Sequence, residues 1–319
     1  MAARAASAAL PASPARRAVL GLSPRQWRTA LIAYLFLLPA LALLGLFTFY
    51  PVGFGSALSL YQYNLRTLIG AEPLRFIGLD HFRALWGDRF FWIALGNSVK
   101  YVLVVPVLQF CSILLAVAVN RRLRGIRWFR AAYYVPVITS MVVVGLIWRW
   151  LYEQDGIING ALLGLGLIDR PISWLGNPRL ALYSVMFVTF WKGLGYYMVI
   201  YLAGLQAISP EYEEAAMMDG AGRWQVFRHV TLPLLRPSIL VASTISVIAA
   251  LKVFEEIYVM TGGGPMFRTQ TMLFYIVDVG FQRFDFGYAA ALAVVLAAGI
   301  MALSALNFAV FRRGGYEAY

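Results

Sequence analysis

One cysteine, two histidines and three lysines among 319 residues remove several kinds of chemistry at once. Cys111 has no second cysteine to pair with and sits inside an apolar run, so it reads as a small packing residue. His81 and His229 are far apart and show neither metal-ligand nor catalytic-triad spacing. Lys100 precedes Tyr101, Lys192 precedes Gly193 and Lys252 precedes Val253, so no lysine completes the phosphate-cradling pattern that ends in Gly-Lys-Ser/Thr. The chain is therefore expected to be no enzyme by itself, with no catalytic residue, metal or cofactor of its own. Any ATP hydrolysis that drives it belongs on another polypeptide.

What the sequence has is hydrocarbon. It is 61% hydrophobic and 13% charged, with a mean hydropathy of +0.70, far from the roughly quarter-charged average of soluble domains. Apolar runs of about 20 residues, the length a helix needs to cross a bilayer, recur along almost the whole chain. The sequence predicts an all-α integral membrane protein with six transmembrane helices over 29–49, 97–119, 133–151, 180–205, 238–260 and 287–311. Backbone groups in lipid must be satisfied within each segment, so the spans are helical, and Pro39, Pro106 and Pro136 read as kinks. No alternating β-barrel pattern competes. Residues 1–28, rich in Ala, Arg, Pro and Ser, are expected to be disordered or to lie on the membrane surface ahead of an uncleaved first helix.

The net charge of +12 would suit nucleic acid, but its distribution speaks for topology instead. Arg4, Arg16, Arg17, Arg25 and Arg28 precede the first span, and Arg121, Arg122, Arg124, Arg127 and Arg130 lie between the second and third. Arg223, Arg228 and Arg236 follow the fourth, and Arg312 and Arg313 lie in the tail, 312–319. The loops on the other side carry fewer basic residues, so these segments and both termini are expected to be cytoplasmic. Charges inside the spans are costly, about 2.5–3.5 kcal/mol each at the bilayer centre, and so are expected to face the interior. Lys192 lies in span four. Lys252, Glu255 and Glu256 lie in span five at i, i+3 and i+4, a spacing that predicts ion pairs on one helical face.

The loop between spans four and five, 206–237, reads as two short helices. Ser209 suits an N-cap, Pro210 the first helical position, and Glu211, Glu213 and Glu214 the positive end of a helix dipole. Gly220 and Gly222 stop that helix. A second, with Trp224, Phe227 and Val230 at helical spacing, is expected to end at Pro233. On residues alone this is an interfacial amphipathic hairpin.

The same loop also resembles the EAA motif of ABC importer permeases. Glu214-Ala215-Ala216 is followed by Gly220, then after nine residues by Val230, and Leu232-Pro233 closes the pattern; Val for the commoner Ile departs from it. The resemblance implies a cytoplasmic coupling helix that docks in a groove of an ATPase subunit, with Glu214, Ala215, Ala216, Asp219, Gly220 and Pro233 as its coupling residues. Further similarity, covering nearly everything after residue 30, is to the carbohydrate-uptake branch, of maltose and glycerol-phosphate type. It is carried by Phe76-Ile77-Gly78-Leu79-Asp80-His81-Phe82, Trp148-Arg149-Trp150-Leu151-Tyr152, Gly156-Ile157-Ile158-Asn159 and Thr261-Gly262-Gly263-Gly264-Pro265.

That branch implies an inner-membrane subunit of a bacterium or archaeon. Its partners would be a second homologous permease, two cytoplasmic ATPase subunits holding ATP and Mg, and an extracytoplasmic binding protein that delivers a sugar. A glycerol-phosphate or glycerophosphodiester ligand is the alternative. An ion-coupled secondary transporter or a channel would need repeats or a pore signature that the chain does not display. Sugars need aromatic platforms and a few polar groups, for which Trp191, Tyr196 and Tyr197 are candidates beside Lys192, Lys252, Glu255 and Glu256. By resemblance Gly193, Tyr196, Ser246, Ala250 and Val253 match sugar-lining positions of maltose permeases. Ala250 and Val253 replace the family's amides there, which points to larger substrate contacts from the partner permease.

Overall fold

Helices dominate the computed structural model, which describes residues 24–120 and 125–313 of the chain. The expectations for residues 1–23, for Arg121, Arg122 and Arg124 and for residues 314–319 lie outside the described residues. Two units separate, Met1–Gly55 and Ser56–Tyr319. In the first, α1 (Pro24–Leu44) passes through a π-helical turn, Gly45–Phe49, into a further helix, Tyr50–Leu58, whose last three residues already belong to the second. Its apolar stretch runs from Trp27 to Leu58, 32 residues, longer than the predicted span. At 1.5 Å per residue that is about 48 Å, more than the ~30 Å hydrocarbon core requires. Pro39 sits within α1 without ending it.

After the end of that helix the second unit forms a two-residue antiparallel ladder, Tyr61–Gln62 against Arg75–Phe76, which the sequence reading did not anticipate. It then enters α2 (Arg89–Val119), where Asp88 caps the first turn by accepting the Phe90 N–H at 2.8 Å. That cap starts the helix eight residues ahead of the predicted Asn97, and α2 runs unbroken through Pro106. The predicted third span is two helices, α3 (Ile126–Ile138) and α4 (Met141–Leu151), bent by 101°. Pro136 removes one ladder donor, and the extended backbone at Thr139 and Ser140 completes the corner. α5 (Ala181–Gln206) is continuous.

The predicted fifth span is also interrupted. Helical backbone over Arg223–Leu234 turns by 67° into α8 (Arg236–Leu251), which stops before Lys252; α9 (Glu255–Met260) resumes after Phe254. Between α5 and α8 lie α6 (Pro210–Met218) and α7 (Arg223–Val226). α10 (Met272–Val277) and α11 (Phe286–Arg313) complete the described chain. Among the described residues four helices individually meet the length and apolarity of a membrane span, and six spans result if each bent pair counts as one.

α5 lies at the centre, packed against α2 and α3, and α8 packs against α2, α5 and α11. Association within lipid depends on close van der Waals contact more than on apolar burial, so small residues mark the tight crossings. A Cβ placed on Gly195 of α5 would meet the backbone oxygen of Tyr133 in α3 at 1.9 Å. Polar stitches hold the interrupted segments. Asn97 donates to the Arg268 and Gln270 carbonyls at 2.9 Å each, and Thr271 donates to the Val253 carbonyl at 2.7 Å, satisfying a backbone acceptor that the break in span five leaves without a helical donor.

Candidate functional site

The breaks in spans three and five face one cavity of about 750 Å³. α2 supplies Tyr101, Val104, Val105 and Leu108, one helical face at i, i+3, i+4 and i+7. α5 supplies Thr189, Lys192, Gly193, Tyr196 and Tyr197 on the same principle. Ile245, Ser246 and Ala250 come from α8, and Lys252, Val253, Phe254, Glu255 and Glu256 from the break and the start of α9. The break turns two consecutive carboxylates and a lysine toward one space.

Of the predicted pathway residues, Lys192, Gly193, Tyr196, Tyr197, Ser246, Ala250, Lys252, Val253, Glu255 and Glu256 all line this cavity, and Trp191 does not. Successive helical positions are 100° apart, so Trp191 cannot share the face of Thr189, Gly193 and Tyr196. It packs against Trp148, with ring centroids 5.4 Å apart. The expected pairing of Lys252 with Glu255 and Glu256 is overturned as well. Helical i, i+3 and i+4 geometry ends at Leu251, and among the described residues the ion pairs are Arg66–Glu72, Arg83–Asp80 and Arg283–Asp278. Lys192 instead donates to the Thr139 carbonyl at 2.6 Å, capping the corner between α3 and α4.

Ser246 is on the wall, but its hydroxyl is engaged: it accepts from Gln109 Nε2 at 2.7 Å and donates to the Ser243 carbonyl at 2.9 Å. Tyr201 in turn donates to Gln109 Oε1, so a buried polar chain locks α2, α5 and α8 together. Sequence reasoning missed Tyr101, Thr189 and Phe254. The Tyr101-Val104-Val105-Leu108 stripe was the available signal for the first, and nothing in the sequence marked Phe254, which faces the cavity because span five breaks beside it.

The predicted loop forms a hairpin of helices. Ser209 and Pro210 open α6 as expected, although the Ser209 side chain makes no capping hydrogen bond. Gly220 ends it with φ of +84°, while the Gly220 N–H donates to the Met217 carbonyl at 3.0 Å and the Ala221 N–H to the Ala216 carbonyl at 3.0 Å. This pair of bonds is a Schellman closure, and it asks for glycine because other residues are strained at that φ. The second helix does not end at Pro233: a π-helical stretch, Phe227–Thr231, precedes the proline and helical backbone continues to Leu234. The wide turn helps to place Pro233, which has no N–H to donate, inside a helix.

Glu214, Ala215, Asp219 and Gly220 are exposed, and Ala216 and Pro233 are half-buried. Glu213 turns the other way and accepts the Thr231 hydroxyl at 2.9 Å, tying the two helices together. Adjacent carboxylates thus divide the work, one toward the partner helix and one outward.

Residues 109–314, which contain the central helices, the hairpin and most of the cavity wall, match the family described as binding-protein-dependent transport system inner membrane component. The chain is 35% identical over 280 residues to the lactose transport system permease protein LacF of Rhizobium radiobacter, covering 86% of this chain and 92% of that one. It is 35% identical over 285 residues to the sulfoquinovosyl glycerol transport system permease protein SmoG of Agrobacterium fabrum, covering 88% and 91%. Among solved structures, a chain of a bacterial alginate ABC transporter, crystallised in complex with an alginate pentasaccharide-bound periplasmic protein, superimposes with a TM-score of 0.77 at 25% identity, covering 91% of this chain and 96% of that one. With a family match over more than half its length, this chain belongs to the binding-protein-dependent transport system inner membrane components, the permease subunits of ABC importers.

Proposed function

We propose that the chain forms half of the translocation pathway for a sugar of di- or oligosaccharide size, delivered by an external binding protein. A homologous permease supplies the other half, and two ATPase subunits holding ATP and Mg drive the cycle from the cytoplasm. In this reading the bent pairs make six spans, both termini are cytoplasmic, and the hairpin around α6 is the coupling helix. Exposed Glu214, Ala215 and Asp219 meet the ATPase, and Gly220 shapes the turn.

One observation carries this reading. The hairpin's second helix runs on into α8, and the far end of α8 breaks at the cavity, where Lys252, Val253 and Phe254 form part of the wall. A displacement of the hairpin therefore has a short covalent path to the cavity wall. Pro233 and the corner at Leu235 set the angle at which that displacement enters the membrane. The names of the similar permeases, for lactose and for sulfoquinovosyl glycerol, support a glycoside as cargo, neutral in the first and sulfonated in the second.

The test is ATP-dependent uptake of radiolabelled oligosaccharides into vesicles holding the complete complex, with wild type compared against Glu214→Ala and Gly220→Asp. Uptake of a sugar by wild type and its loss in both variants, with assembly retained, is the expected result. Normal transport by both variants would reduce the hairpin to a surface element and refute the coupling role.

A further inference from the structure

We infer that the helix Ile157–Gly164, with Leu165 and Leu167 beyond it, docks on a lipid surface: it lies in the headgroup–acyl boundary of the leaflet remote from the 206–237 hairpin. The inference uses the membrane location of the family and neither the cargo nor the coupling role proposed above.

Its depth follows from what holds it. Tyr152, just past the end of α4, donates its hydroxyl to the Ser184 carbonyl at 3.1 Å, one turn into α5. The end of α4 and the start of α5 are therefore level, at the end of α5 away from the hairpin. α5 has 26 residues, about 39 Å, against a hydrocarbon core of ~30 Å and ~40–45 Å with headgroups, so its first turn belongs to the headgroup layer. The helix Ile157–Gly164 is pinned to this junction. A Cβ on Gly156 would lie 2.6 Å from the carbonyl oxygens of both Trp150 and Leu151, so the helix starts directly against the end of α4. Fully buried Asn159 donates to the Glu153 and Ile172 carbonyls at 3.1 and 3.0 Å, and accepts the Ile172 N–H at 3.0 Å and the Trp174 indole N–H at 3.2 Å. One face of the helix is thus fixed inward, and the opposite face points away from the protein.

That outward face suits hydrocarbon. Between Asp155 and Asp169 no side chain is charged, and the one polar side chain, Asn159, is turned inward. Ile157, Leu165 and Leu167 are 74%, 72% and 67% exposed, and a Cβ on Gly160, Gly164 or Gly166 would meet nothing within 4 Å, so none of the described residues covers this face. Single exposed leucines are ordinary, but a contiguous uncharged patch marks an interaction. The backbone is closed as lipid requires. Gly166, at φ of +66°, ends the helix with its N–H on the Leu163 carbonyl at 3.0 Å and the Leu167 N–H on the Leu162 carbonyl at 2.9 Å. Exposed Trp150 stands beside it at the end of α4, where an indole suits the headgroup level. Exposed Asp155, Asp169 and Arg170 bound the run on its two sides. A protein partner would call for hydrogen-bonding groups on the face itself, and this face offers none, which favours lipid.

The experiment uses the purified complete complex in phosphatidylcholine nanodiscs, freed of other cysteines (Cys111→Ala included), with a nitroxide spin label at Leu165→Cys or at Ile157→Cys. Collisions with oxygen, which concentrates among acyl chains, and with a water-soluble nickel chelate are read by EPR power saturation. Both labels are expected to admit oxygen and exclude the chelate, at a depth of about 5–10 Å, whereas a label at Asp169→Cys admits the chelate freely. Chelate access at either apolar position equal to that at Asp169→Cys overturns the inference by placing the helix in water. Exclusion of both reagents overturns it too, because the face is then covered by a neighbouring subunit.

Discussion

Replacing Gly195 by alanine adds one methyl group at the tightest crossing in the helix bundle. The new Cβ would lie 1.9 Å from the Tyr133 carbonyl oxygen, where ordinary contact begins near 3.4 Å, so α3 and α5 must part by about 1.5 Å. The obstacle is backbone, and no rotamer change relieves it. Overpacking of this kind costs about 3 kcal/mol, at the upper end of its usual range, and the better helix propensity of alanine offsets about 1 kcal/mol. The net loss of about 2 kcal/mol corresponds to a melting temperature lower by about 3 °C for a chain of this size. The assay is thermal unfolding of the purified complex in detergent, followed by tryptophan fluorescence. Gly193→Ala is the control: its Cβ meets the Leu108 Cδ2 methyl at 3.2 Å, a flexible neighbour that can yield, so its melting temperature should stay within about 1 °C of wild type. Equal shifts in the two variants, or none in Gly195→Ala, would refute the claim that backbone proximity sets this crossing.

Thr231→Val removes the donor to Glu213 and should loosen the hairpin by about 1 kcal/mol; faster amide exchange over residues 210–218 with unchanged cavity binding is the expected signature, and unchanged exchange would argue against the link. At Gly220, φ of +84° ranks the substitutions: asparagine should be tolerated better than alanine, which costs about 1–2 kcal/mol, and ATP-driven uptake should follow that order. Asp88 accepts the hydroxyls of Tyr275 at 2.5 Å and Tyr288 at 2.7 Å as well as the Phe90 N–H. Burial pushes its carboxyl up, but those hydrogen bonds together outweigh it and hold the group below the ordinary value of 3.8. A lowered carboxylate contributes stability that is complete above its unfolded-state value and is lost as pH falls through the folded one. Wild type should therefore lose stability below about pH 4, and Asp88→Asn should lose that part of the acid dependence; identical acid profiles would remove Asp88 from the explanation.

The central helices were legible because their determinants are local. A bilayer demands about 20 apolar residues with every backbone bond made inside the segment, so α2, α5 and α11 announce themselves whatever they pack against. The Ser209–Gly220 helix was equally legible, since a cap, an N1 proline and a left-handed glycine act within one turn of themselves. So were the charged and polar-aromatic residues of the cavity, Lys192, Tyr196, Tyr197, Lys252, Glu255 and Glu256, because such groups are too costly to leave against lipid.

What the chain alone did not disclose depends on neighbours far away in sequence. Pro106 leaves α2 helical while Pro136 stands three residues before a corner, and that corner is braced from elsewhere in the chain: Lys192 reaches across from α5 to the Thr139 carbonyl. The break after Leu251 is supported by Thr271, twenty residues further on, which bonds the Val253 carbonyl. Once that helix stops, Lys252, Glu255 and Glu256 no longer share its face, and the pairing that their spacing suggested does not form. Local chemistry fixed which segments are helical and apolar enough to cross a membrane and where the helices of the 206–237 loop begin and turn. Where those segments bend, and which side chains therefore meet at the cavity, only the tertiary structure decided, because a backbone can leave the helix in hydrocarbon only where another segment accepts or donates the hydrogen bonds it gives up.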